Sequence, residues 1–573
     1  MKASFTVFSQ RLVLLAGLLF GLAATTWAQA PAWQAVVSAV PANFTSGASV
    51  AATATDASGN VYVAGYLAGT VDLGGTLLSS TGQSNLFVAK WSPVTQRFAW
   101  ILQSGGIGIA YPTALAVNGN QIYLTGYFQG SPAFGGTTFT GAGSNDIFVA
   151  KITDAGGNAA FTWAYRAGGT GLDQANALAV SGQAVYLAGT FANAATFGPT
   201  TYTSAGGDDA FLTRLTDAGS SATFDWTQPV GGPSNEYASG VAAQGNSVYV
   251  TGLFAGTVAF GNLSLTGNGP PGLFVAKLTD TGGSPTYSWV RQAGGTGIVV
   301  PNALAVQGSQ VYVAGRFQGT AAFGTLSVPN ATTAAGAYDA FVAKLADTGS
   351  SASYVWAYGA GGPLTDYVNT LAVRGSAVYL AGSYRGTSSF GGISLTSTGL
   401  ADDIFVARLT DAGPSASFAW ALSAGGPDSD TALALAPTST GVYVGGWVYG
   451  AATFGSQTMG TAGRGQTGFF TALPDATGLA TTGAAAAPTR VALFPTPTPS
   501  GTLATVQLPA AGTATTVALT LFDNLGRMVR TATAPVAAGS QQAIFDVAGL
   551  APGVYALRVA VGERLGTARL VVE

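Results

Sequence analysis

The chain repeats itself, and this internal repetition limits the folds open to it more than any other feature. The pattern V-Y-[VL]-x-G, then F-G, then D-x-F-x-x-[KR] and finally W recurs along most of the 573 residues, with successive tyrosines 61–67 positions apart. The tyrosines are Tyr62, Tyr123, Tyr186, Tyr249, Tyr312, Tyr379 and Tyr443. The phenylalanines are Phe87, Phe148, Phe211, Phe274, Phe341, Phe405 and Phe470, and the tryptophans are Trp33, Trp100, Trp163, Trp226, Trp289, Trp356 and Trp420.

Each repeat has the pattern of four β-strands. The small apolar run Ala177 to Val180 is typical of an inner strand, and Ser181-Gly182 after it is a strong hairpin signal. The second strand is VYLAG, the third contains Phe211, and the fourth centres on Trp226. The period of two places Phe211 and Arg214 on opposite faces. Seven four-stranded units predict an all-β fold, a seven-bladed β-propeller.

The order of the anchors also predicts how the ring closes. Trp33 precedes the first tyrosine of the pattern, and no tryptophan follows the last FFTAL. The N-terminal strand should therefore be the fourth, outer strand of the seventh blade. We expect Trp33 to pack like the other six repeat tryptophans, against the strand that carries Phe470.

The first repeat carries a familiar motif, with Asp56, the turn Ser58-Gly59-Asn60 and VYVAG. It resembles the units D…A-V-D-x-x-G-N-V-Y-V-x-G…D-x-F-V-A-K…W of the seven-bladed propeller repeat of secreted bacterial proteins. The resemblance covers about Ala32 to Leu473. It implies the propeller fold and leaves the ligand open, because propellers host unrelated functions.

The ends of the chain predict export. Residues 1–30 have basic Lys2 and Arg11, an apolar run from Leu12 to Ala24 and an Ala28-Gln29-Ala30 cleavage pattern, which together indicate a secretory signal peptide. A membrane anchor is the alternative, but the apolar run is short for a span. We therefore expect no transmembrane anchor in the mature chain. The predicted organisation is signal peptide 1–30, propeller 31–473, linker 474–489 and a second domain at 490–573.

The second domain shows alternating apolar positions between turn signals, which predicts a small immunoglobulin-like β-sandwich. Its motifs F-P-T-P, L-F-D-N-L-G-R, L-A-P-G-V-Y and A-R-L-V-V resemble the C-terminal sorting domain of type IX secretion cargo. The motif residues are Pro495, Pro497, Asp523, Gly526, Arg527, Gly553 and Tyr555. Thr496 departs from the family, which has Asn between the prolines. The resemblance implies the type IX translocon as a partner, and a secreted, extracellular or outer-surface location.

Composition excludes several kinds of chemistry. The sequence has no His and no Cys, so it offers no His-based triad, no thiolate nucleophile and no zinc site of the usual ligands. Charged residues are 8%, the net charge is −3 and no basic cluster occurs, so nucleic acid is not expected as a partner. We expect no cofactor.

Aspartates two positions before the repeat phenylalanine are expected to be scaffold, because most repeats carry one. They are Asp146, Asp209, Asp339 and Asp403, with Asn85 as a substitute and Gly272 and Gly468 in the remaining repeats. They should accept loop N–H bonds. Calcium is the alternative, disfavoured because no D-x-D-x-D run supplies enough oxygens.

The loops between one tryptophan strand and the next inner strand differ among repeats and provide the candidate ligand-binding residues. These are Asp173, Glu236, Tyr237, Asp366, Tyr367, Asp428 and Asp430. Acids accept from hydroxyl groups and rings stack on apolar faces, so the set indicates a secreted or surface binding or adhesion protein with a surface glycan or protein as ligand. The structural alternative is that the acids of this set only cap turns. A hydrolase or lyase that uses paired carboxylates is the competing function, but no motif fixes a nucleophile or acid, so we predict that the protein is not an enzyme.

Overall fold

The structure is a computed structural model that describes residues 31–475 except 35, 268, 332–335 and 461–464. Beyond them it describes 489–490, 493–494, 503–507, 516–522, 528–535, 542–561 and 564–572. The predicted signal peptide and most of the predicted linker lie outside these ranges. The chain divides into two compact units, residues 1–478 and 479–573. The fold is all-β, and the described residues contain strands and turns without a helix.

The strands of the first unit follow in chain order. The first sixteen are β1 (Val37–Pro41), β2 (Gly47–Thr55), β3 (Val61–Ala68), β4 (Thr70–Leu73), β5 (Thr76–Ser79), β6 (Asn85–Ser92), β7 (Arg97–Gln103), β8 (Gly105–Asn118), β9 (Gln121–Phe134), β10 (Thr137–Thr138), β11 (Asp146–Asp154), β12 (Ala159–Gly169), β13 (Gln174–Ser181), β14 (Ala184–Phe197), β15 (Thr200–Asp217) and β16 (Ala222–Val230). The next twelve are β17 (Tyr237–Gln244), β18 (Ser247–Phe254), β19 (Thr257–Phe260), β20 (Leu263–Thr266), β21 (Gly272–Thr279), β22 (Thr286–Gly295), β23 (Val299–Gln307), β24 (Gln310–Phe317), β25 (Thr320–Phe323), β26 (Leu326–Pro329), β27 (Asp339–Asp347) and β28 (Ala352–Ala360). The last are β29 (Tyr367–Arg374), β30 (Ala377–Tyr384), β31 (Thr387–Phe390), β32 (Ile393–Thr396), β33 (Asp403–Asp411), β34 (Ala416–Ala424), β35 (Asp430–Pro437), β36 (Gly441–Val448), β37 (Ala452–Phe454), β38 (Gln457–Met459) and β39 (Thr467–Pro474).

These strands form antiparallel groups of four, here called groups A to G. The groups are A (β2-β3-β6-β7), B (β8-β9-β11-β12), C (β13-β14-β15-β16), D (β17-β18-β21-β22), E (β23-β24-β27-β28), F (β29-β30-β33-β34) and G (β35-β36-β39-β1). Short hairpins such as β4-β5 and β25-β26 leave the second strand and pair with the outer strand of the preceding group. The four-strand order matches the expectation from the sequence.

The first strands of neighbouring groups pack side by side. β2 contacts β8, and the series continues through β13, β17, β23, β29 and β35, which in turn contacts β2. Polar side chains bridge several of these contacts. The Thr113 hydroxyl donates to the Ala175 carbonyl (2.6 Å), and the Asn176 amide donates to the Ala238 carbonyl (2.9 Å). Bonds of this kind satisfy backbone carbonyls that a first strand leaves unpaired on its inner edge.

The N-terminal strand belongs to the last group. β1 pairs with β39, with Val37 opposite Phe470, and the Gln34 N–H donates to the Ala472 carbonyl (3.0 Å). The sequence predicted this pairing. It also assigned Phe470 as the seventh repeat phenylalanine, which is wrong by one position. Gly65 lies opposite Phe87 in group A, whereas Gly446 lies opposite Phe469 in group G.

This shift changes the position equivalent to the repeat aspartates. Thr467, rather than Gly468, is the residue two positions before Phe469, and its side chain is buried. The two adjacent phenylalanines face opposite sides of the sheet, because successive side chains in a strand alternate.

Trp33 does not pack like the other repeat tryptophans. The indole is buried in the core between groups F and G, where it meets Phe454 edge-on with ring centroids 5.1 Å apart. Its Nε1 donates to the Ser423 carbonyl (3.2 Å). Trp100 instead packs in the core between its own group and the following one. The expectation from the sequence was therefore wrong, because Trp33 lies beside Gly455 as Phe98 lies beside Gly74. Trp33 thus takes the place of the aromatic residue two positions before the repeat tryptophan, and not the place of the tryptophan itself.

A buried aspartate links each of six pairs of consecutive groups. At the boundary of A and B, Asp154 accepts from the Tyr62 hydroxyl (2.8 Å), Lys90 Nζ (2.6 Å) and Trp100 Nε1 (2.9 Å). We call this arrangement the aspartate latch. The equivalent aspartates in the following groups are Asp217, Asp280, Asp347, Asp411 and Asp475. At Asp154, Asp217, Asp347 and Asp411 the latch joins a tyrosine, a lysine and a tryptophan from three strands of one group to the end of the third strand of the next. At Asp280 and Asp475 an arginine takes the place of the lysine, and the indole nitrogens of Trp226 and Trp420 have no hydrogen-bond partner among the described residues.

The second unit has two sheets around one core. Its strands are β40 (Thr489–Arg490), β41 (Leu493–Phe494), β42 (Leu503–Gln507), β43 (Thr516–Phe522), β44 (Met528–Pro535), β45 (Gln542–Asp546), β46 (Gly553–Val561) and β47 (Arg564–Val572). One sheet has the order β40-β47-β46-β43-β44 and the other β41-β42-β45. Val506 and Phe545 from the smaller sheet share a buried core with Leu519, Leu557 and Leu570 from the larger.

Candidate functional site

Cross-strand pairs at one end of each group vary in residue type and include five partly exposed tyrosines. The first strand supplies one member and the second strand supplies the other, four positions after the repeat tyrosine. The pairs are Ser49–Tyr66, Tyr111–Tyr127, Gln174–Thr190, Tyr237–Leu253, Val300–Arg316, Tyr367–Ser383 and Thr431–Trp447. We call this set the variable row. Equivalent backbone positions with unlike side chains are suited to recognition, because the fold does not require the differences.

Groups A and B hold an aromatic part of the variable row. The rings of Tyr66 and Tyr111 meet edge-on with centroids 4.4 Å apart, and Tyr111 and Tyr127 are 5.4 Å apart. The Tyr66 hydroxyl donates to Gln466 Oε1 (3.2 Å). Burial raises the pKa of Tyr66 and of Tyr127, so both hydroxyl groups stay neutral at physiological pH. All three rings are partly exposed, which leaves apolar faces and neutral hydroxyl groups for a ligand.

Groups E and F hold a charged part of the variable row. The Arg316 guanidinium lies over the rings of Tyr338 and Tyr367, at 5.3 and 5.7 Å from their centroids. The Tyr367 hydroxyl donates to Asp402 Oδ2 (3.3 Å), and Arg385 Nε donates to Asp402 Oδ1 (2.8 Å). The pair of Arg385 and Asp402 is partly exposed, so it contributes little to stability and stays open to a partner.

Four of the predicted site acids have no access to a ligand. Asp173, Glu236, Asp366 and Asp430 each have 0% exposure. Each accepts the backbone N–H four positions earlier, at 2.7–2.9 Å; the donors are Gly169, Gly232, Gly362 and Gly426. This is the turn-capping alternative. Burial raises the pKa of Asp173 to about 6 and those of Asp366 and Asp430 to about 7.

The other three predicted residues reach the surface. Tyr237 and Tyr367 are partly exposed, and Asp428 is exposed. The Tyr237 hydroxyl donates to Asp208 Oδ2 (3.3 Å). Within the variable row, the sequence therefore identified Tyr237 and Tyr367. It did not name Tyr111, Tyr66, Tyr127 or Arg316 as candidates. Tyr66, Tyr127 and Arg316 each lie four positions after a repeat tyrosine, and this constant spacing is a sequence signal that would have identified them.

The repeat aspartates lie directly behind the turn-capping acids. Asp146 Oδ2 accepts the N–H of Ala142 (2.7 Å), as expected for a scaffold residue. The other oxygen has no recorded hydrogen-bond partner among the described residues; the equivalent atoms are Asp146 Oδ1, Asp209 Oδ1, Asp339 Oδ1 and Asp403 Oδ1. In the part of the chain that the structure describes, no set of three or more acidic side chains is placed to hold a metal ion.

Two of the sorting motif residues lie in the described part of the second unit. Gly553 begins β46, and Tyr555 lies opposite Leu570 in β47. The Tyr555 hydroxyl donates to the Ala551 carbonyl (2.7 Å), which fixes the turn before the strand. Pro495, Pro497, Asp523, Gly526 and Arg527 lie outside the described residues.

Residues 492–573 match the family described as "Secretion system C-terminal sorting domain". The C-terminal unit is a type IX sorting domain. This assignment supports secretion by the type IX system to the cell surface or extracellular space, and it implies contact with that export machinery. Among the described residues, no helix has the length and apolar character needed to cross a membrane.

No curated protein matches the chain in sequence. Three solved structures are similar at a low level. A protein of unknown function from Dyadobacter fermentans DSM 18053 has 12% identity and a TM-score of 0.35, over 77% of this chain and 100% of that chain. A fungal alcohol oxidase of the AA5 family in complex with copper has 11% identity and a TM-score of 0.35, over 95% and 100%. A mutant Trypanosoma rangeli sialidase with trans-sialidase activity has 9% identity and a TM-score of 0.30, over 80% and 82%. At these TM-scores the likenesses carry no argument about fold or activity.

Proposed function

We propose that groups A to G form a closed seven-bladed β-propeller. The contact between β35 and β2 supports closure, because it joins the first strand of group G to the first strand of group A. A single cavity of about 290 Å³ gives further support, since residues from the first strands of all seven groups line it. Examples are Thr53, Thr113, Asn176, Asn302 and Asn369. A propeller leaves such a channel along its axis.

We propose that this propeller is a binding or adhesion module that acts outside the cell. The observation that carries this function is the variable row, with the partly exposed Tyr66, Tyr111 and Tyr127 in groups A and B and Arg316 in group E. Aromatic rings and arginines are the side chains that contribute most to recognition surfaces. A surface glycan or a surface protein fits this chemistry. The sorting domain, for which we propose immunoglobulin-like connectivity, delivers the module to the cell surface or the medium.

Catalysis by paired carboxylates receives less support. A glycoside hydrolase needs two carboxyl groups that reach the sugar. Asp173, Glu236, Asp366 and Asp430 are buried and hydrogen-bonded to backbone, so a substrate does not reach them. We therefore propose a non-enzymatic role.

A binding screen of the mature chain against a glycan array and against surface-protein extracts tests the proposal. For a ligand so identified, Tyr111→Ala and Tyr127→Ala should each reduce affinity at least tenfold. Thr223→Ala, on the exposed face of an outer strand, is the matched control and should bind as the wild type does. Equal affinity in all three folded variants would exclude the variable row as the binding site.

A further inference from the structure

The aspartate latch is missing at the boundary between groups G and A. Tyr443 occupies the tyrosine position there, but Ala472 stands where the other groups have Lys or Arg. Pro93 stands where the latch aspartate would be, six positions after the repeat phenylalanine. Trp33, which should supply the indole, faces groups F and G instead. This boundary therefore lacks both charges and the tryptophan of the outer strand.

Aromatic side chains from other positions replace the latch. Trp91 takes a position that is aliphatic in the other groups; its equivalents are Ile152, Leu215, Leu278, Leu345, Leu409 and Leu473. Phe470 stacks on Tyr443 with an interplanar angle of 10° and centroids 5.0 Å apart. Trp91 meets Phe470 edge-on at 5.8 Å. Burial raises the pKa of Tyr443, so its hydroxyl stays neutral.

A cavity of about 580 Å³ opens at this boundary, within the range of small-molecule sites. We call it the seam pocket. Trp91, Tyr443 and Phe470 line it together with neutral polar residues, among them Gln34, Gln96 and Thr440. Among the described residues, no charged side chain belongs to its lining. The turns β6–β7 and β35–β36 frame it, at the opposite end of the strands from the variable row.

The backbone at the rim of the seam pocket is strained. Gln96 has a φ of 52°, and only it and Asn193 have positive φ among the described non-glycine residues. A side chain with a Cβ rarely adopts this conformation. The equivalent turns of the following five groups have a glycine with positive φ instead: Gly156, Gly219, Gly282, Gly349 and Gly413. Gln96 is exposed, so the strained turn presents its amide at the opening.

The chemistry of the seam pocket selects its ligand. Ring faces bind the apolar C–H face of a sugar, while neutral amide and hydroxyl groups pair with sugar hydroxyls. A charged ligand would be desolvated without an opposite charge, which is unfavourable. We propose that the seam pocket binds a neutral mono- or disaccharide, with Trp91 as the stacking platform. This site is separate from the variable row and does not depend on the function proposed for it.

The test is isothermal titration of the mature full chain with glucose, galactose, N-acetylglucosamine, cellobiose and lactose. At least one sugar should bind saturably, and Trp91→Leu should weaken that binding at least tenfold. The substitution restores the residue type of most other groups, so folding should be kept. Phe44→Leu, at an exposed aromatic residue outside both the seam pocket and the variable row, is the matched control and should leave the affinity unchanged.

A second variant tests the cavity itself. Ala472→Lys combined with Pro93→Asp places the two latch charges in the seam pocket and should reduce sugar affinity at least tenfold in a folded chain. The proposal is overturned if none of the five sugars binds, or if Trp91→Leu binds as tightly as the wild type. It is also overturned if Trp447→Leu, a substitution in the variable row, loses affinity while Trp91→Leu does not, which would place the sugar in that row.

Discussion

Asp339 and Asp366 face each other across Gly361, although 27 positions (366 − 339) separate them in the sequence. A methyl group placed on Gly361 would clash with Asp339 Oδ1 and would lie 2.9 Å from Asp366 Oδ2. Both carboxyl groups are buried, and Asp339 Oδ1 has no recorded partner among the described residues. Two carboxyl groups in such a setting favour a state in which one of them keeps its proton.

The same acid pair recurs at a spacing of 27. The pairs are Asp146–Asp173, Asp209–Glu236, Asp339–Asp366 and Asp403–Asp430. Where one acid is missing, the other is missing too: Gly272 is matched with Val299, and Asn85 with Ala110. The turn-capping acid and the repeat aspartate are therefore one structural device, which joins the end of one group to the beginning of the next.

The acid pairs predict a pH dependence of stability. Burial raises the pKa of Asp366 to about 7 and that of Asp339 to about 6, above an ordinary value of about 3.9. Between these values the folded state holds more protons than the unfolded state. The stabilisation is complete below about pH 4 and is lost as the pH rises through 6 to 7, by about 1.4 kcal/mol per pH unit for each extra proton.

Denaturant unfolding at pH 5 and pH 8 checks this dependence. The free energy of unfolding should be larger at pH 5, and Asp366→Asn should reduce the difference between the two. Asp72→Asn, in an exposed hairpin, is the control and should leave the difference as it is. If the free energy of unfolding changes by the same amount between pH 5 and pH 8 in Asp366→Asn and in the wild type, this pair does not titrate between those pH values.

Gly361→Ala should destabilise the fold. The added methyl group enters the space between the two carboxyl groups, and overpacking of this kind costs about 1–3 kcal/mol. Gly294 occupies the equivalent place between groups D and E, where neither acid exists and no atom lies within 4 Å of a built Cβ. Gly294→Ala should stay within about 0.5 kcal/mol of the wild type in urea unfolding. Equal effects of the two substitutions would contradict the assignment.

The aspartate latch should contribute strongly at each boundary. Burial disfavours the charged form of Asp411, but hydrogen bonds from Lys344, Tyr312 and Gly413 outweigh it and lower the pKa. Asp411→Ala leaves Lys344 buried without its partner and should cost about 3–5 kcal/mol. Asp402→Ala removes the exposed pair with Arg385 and should cost about 1 kcal/mol or less. Denaturant unfolding compares the two, and a loss below 1 kcal/mol for Asp411→Ala would argue against the latch.

Trp33→Ala should cost about 3–5 kcal/mol, because it removes a buried indole and its bond to the Ser423 carbonyl. Deletion of residues 31–41 should cost more, since it also uncovers the edge of β39 and favours aggregation. Thermal unfolding with light scattering measures both effects. A melting temperature like that of the wild type after the deletion would mean that β1 does not secure the last group.

The sorting domain should act as an address without stabilising the first unit. A chain that ends at Asp475 should melt like the full chain and, in a host with type IX secretion, should stay in the periplasm. A chain that ends at Pro474 loses the last latch, in which Arg408 Nε lies 2.8 Å from Asp475 Oδ2, and should melt at a lower temperature. Normal export of the chain ending at Asp475 would disprove the role of the tail.

The sequence alone determined the strand pattern. Strands alternate with a period of two and are separated by glycine turns, so V-Y-x-x-G and D-x-F could be read as second and third strands without tertiary information. The pairing of β1 with β39 was also readable, because a tryptophan strand precedes the first repeat and none follows the last. The tail motifs identified the sorting domain directly, since that resemblance depends on short contiguous residues.

Tertiary structure decided the rest. Phe469 and Phe470 are equally good strand residues, and only the fit of Phe469 against Gly446 shows which one occupies the repeat position. Asp173 and Asp428 both lie in loops, and the sequence does not distinguish them. Asp173 is buried because backbone N–H groups turn toward its carboxylate, whereas Asp428 is exposed. The seam pocket arises because one boundary lacks three parts of the aspartate latch. Ala472 stands in place of the basic residue, Pro93 stands in place of the aspartate, and Trp33 packs between groups F and G. Residues so distant in sequence define a cavity only when the fold brings them together.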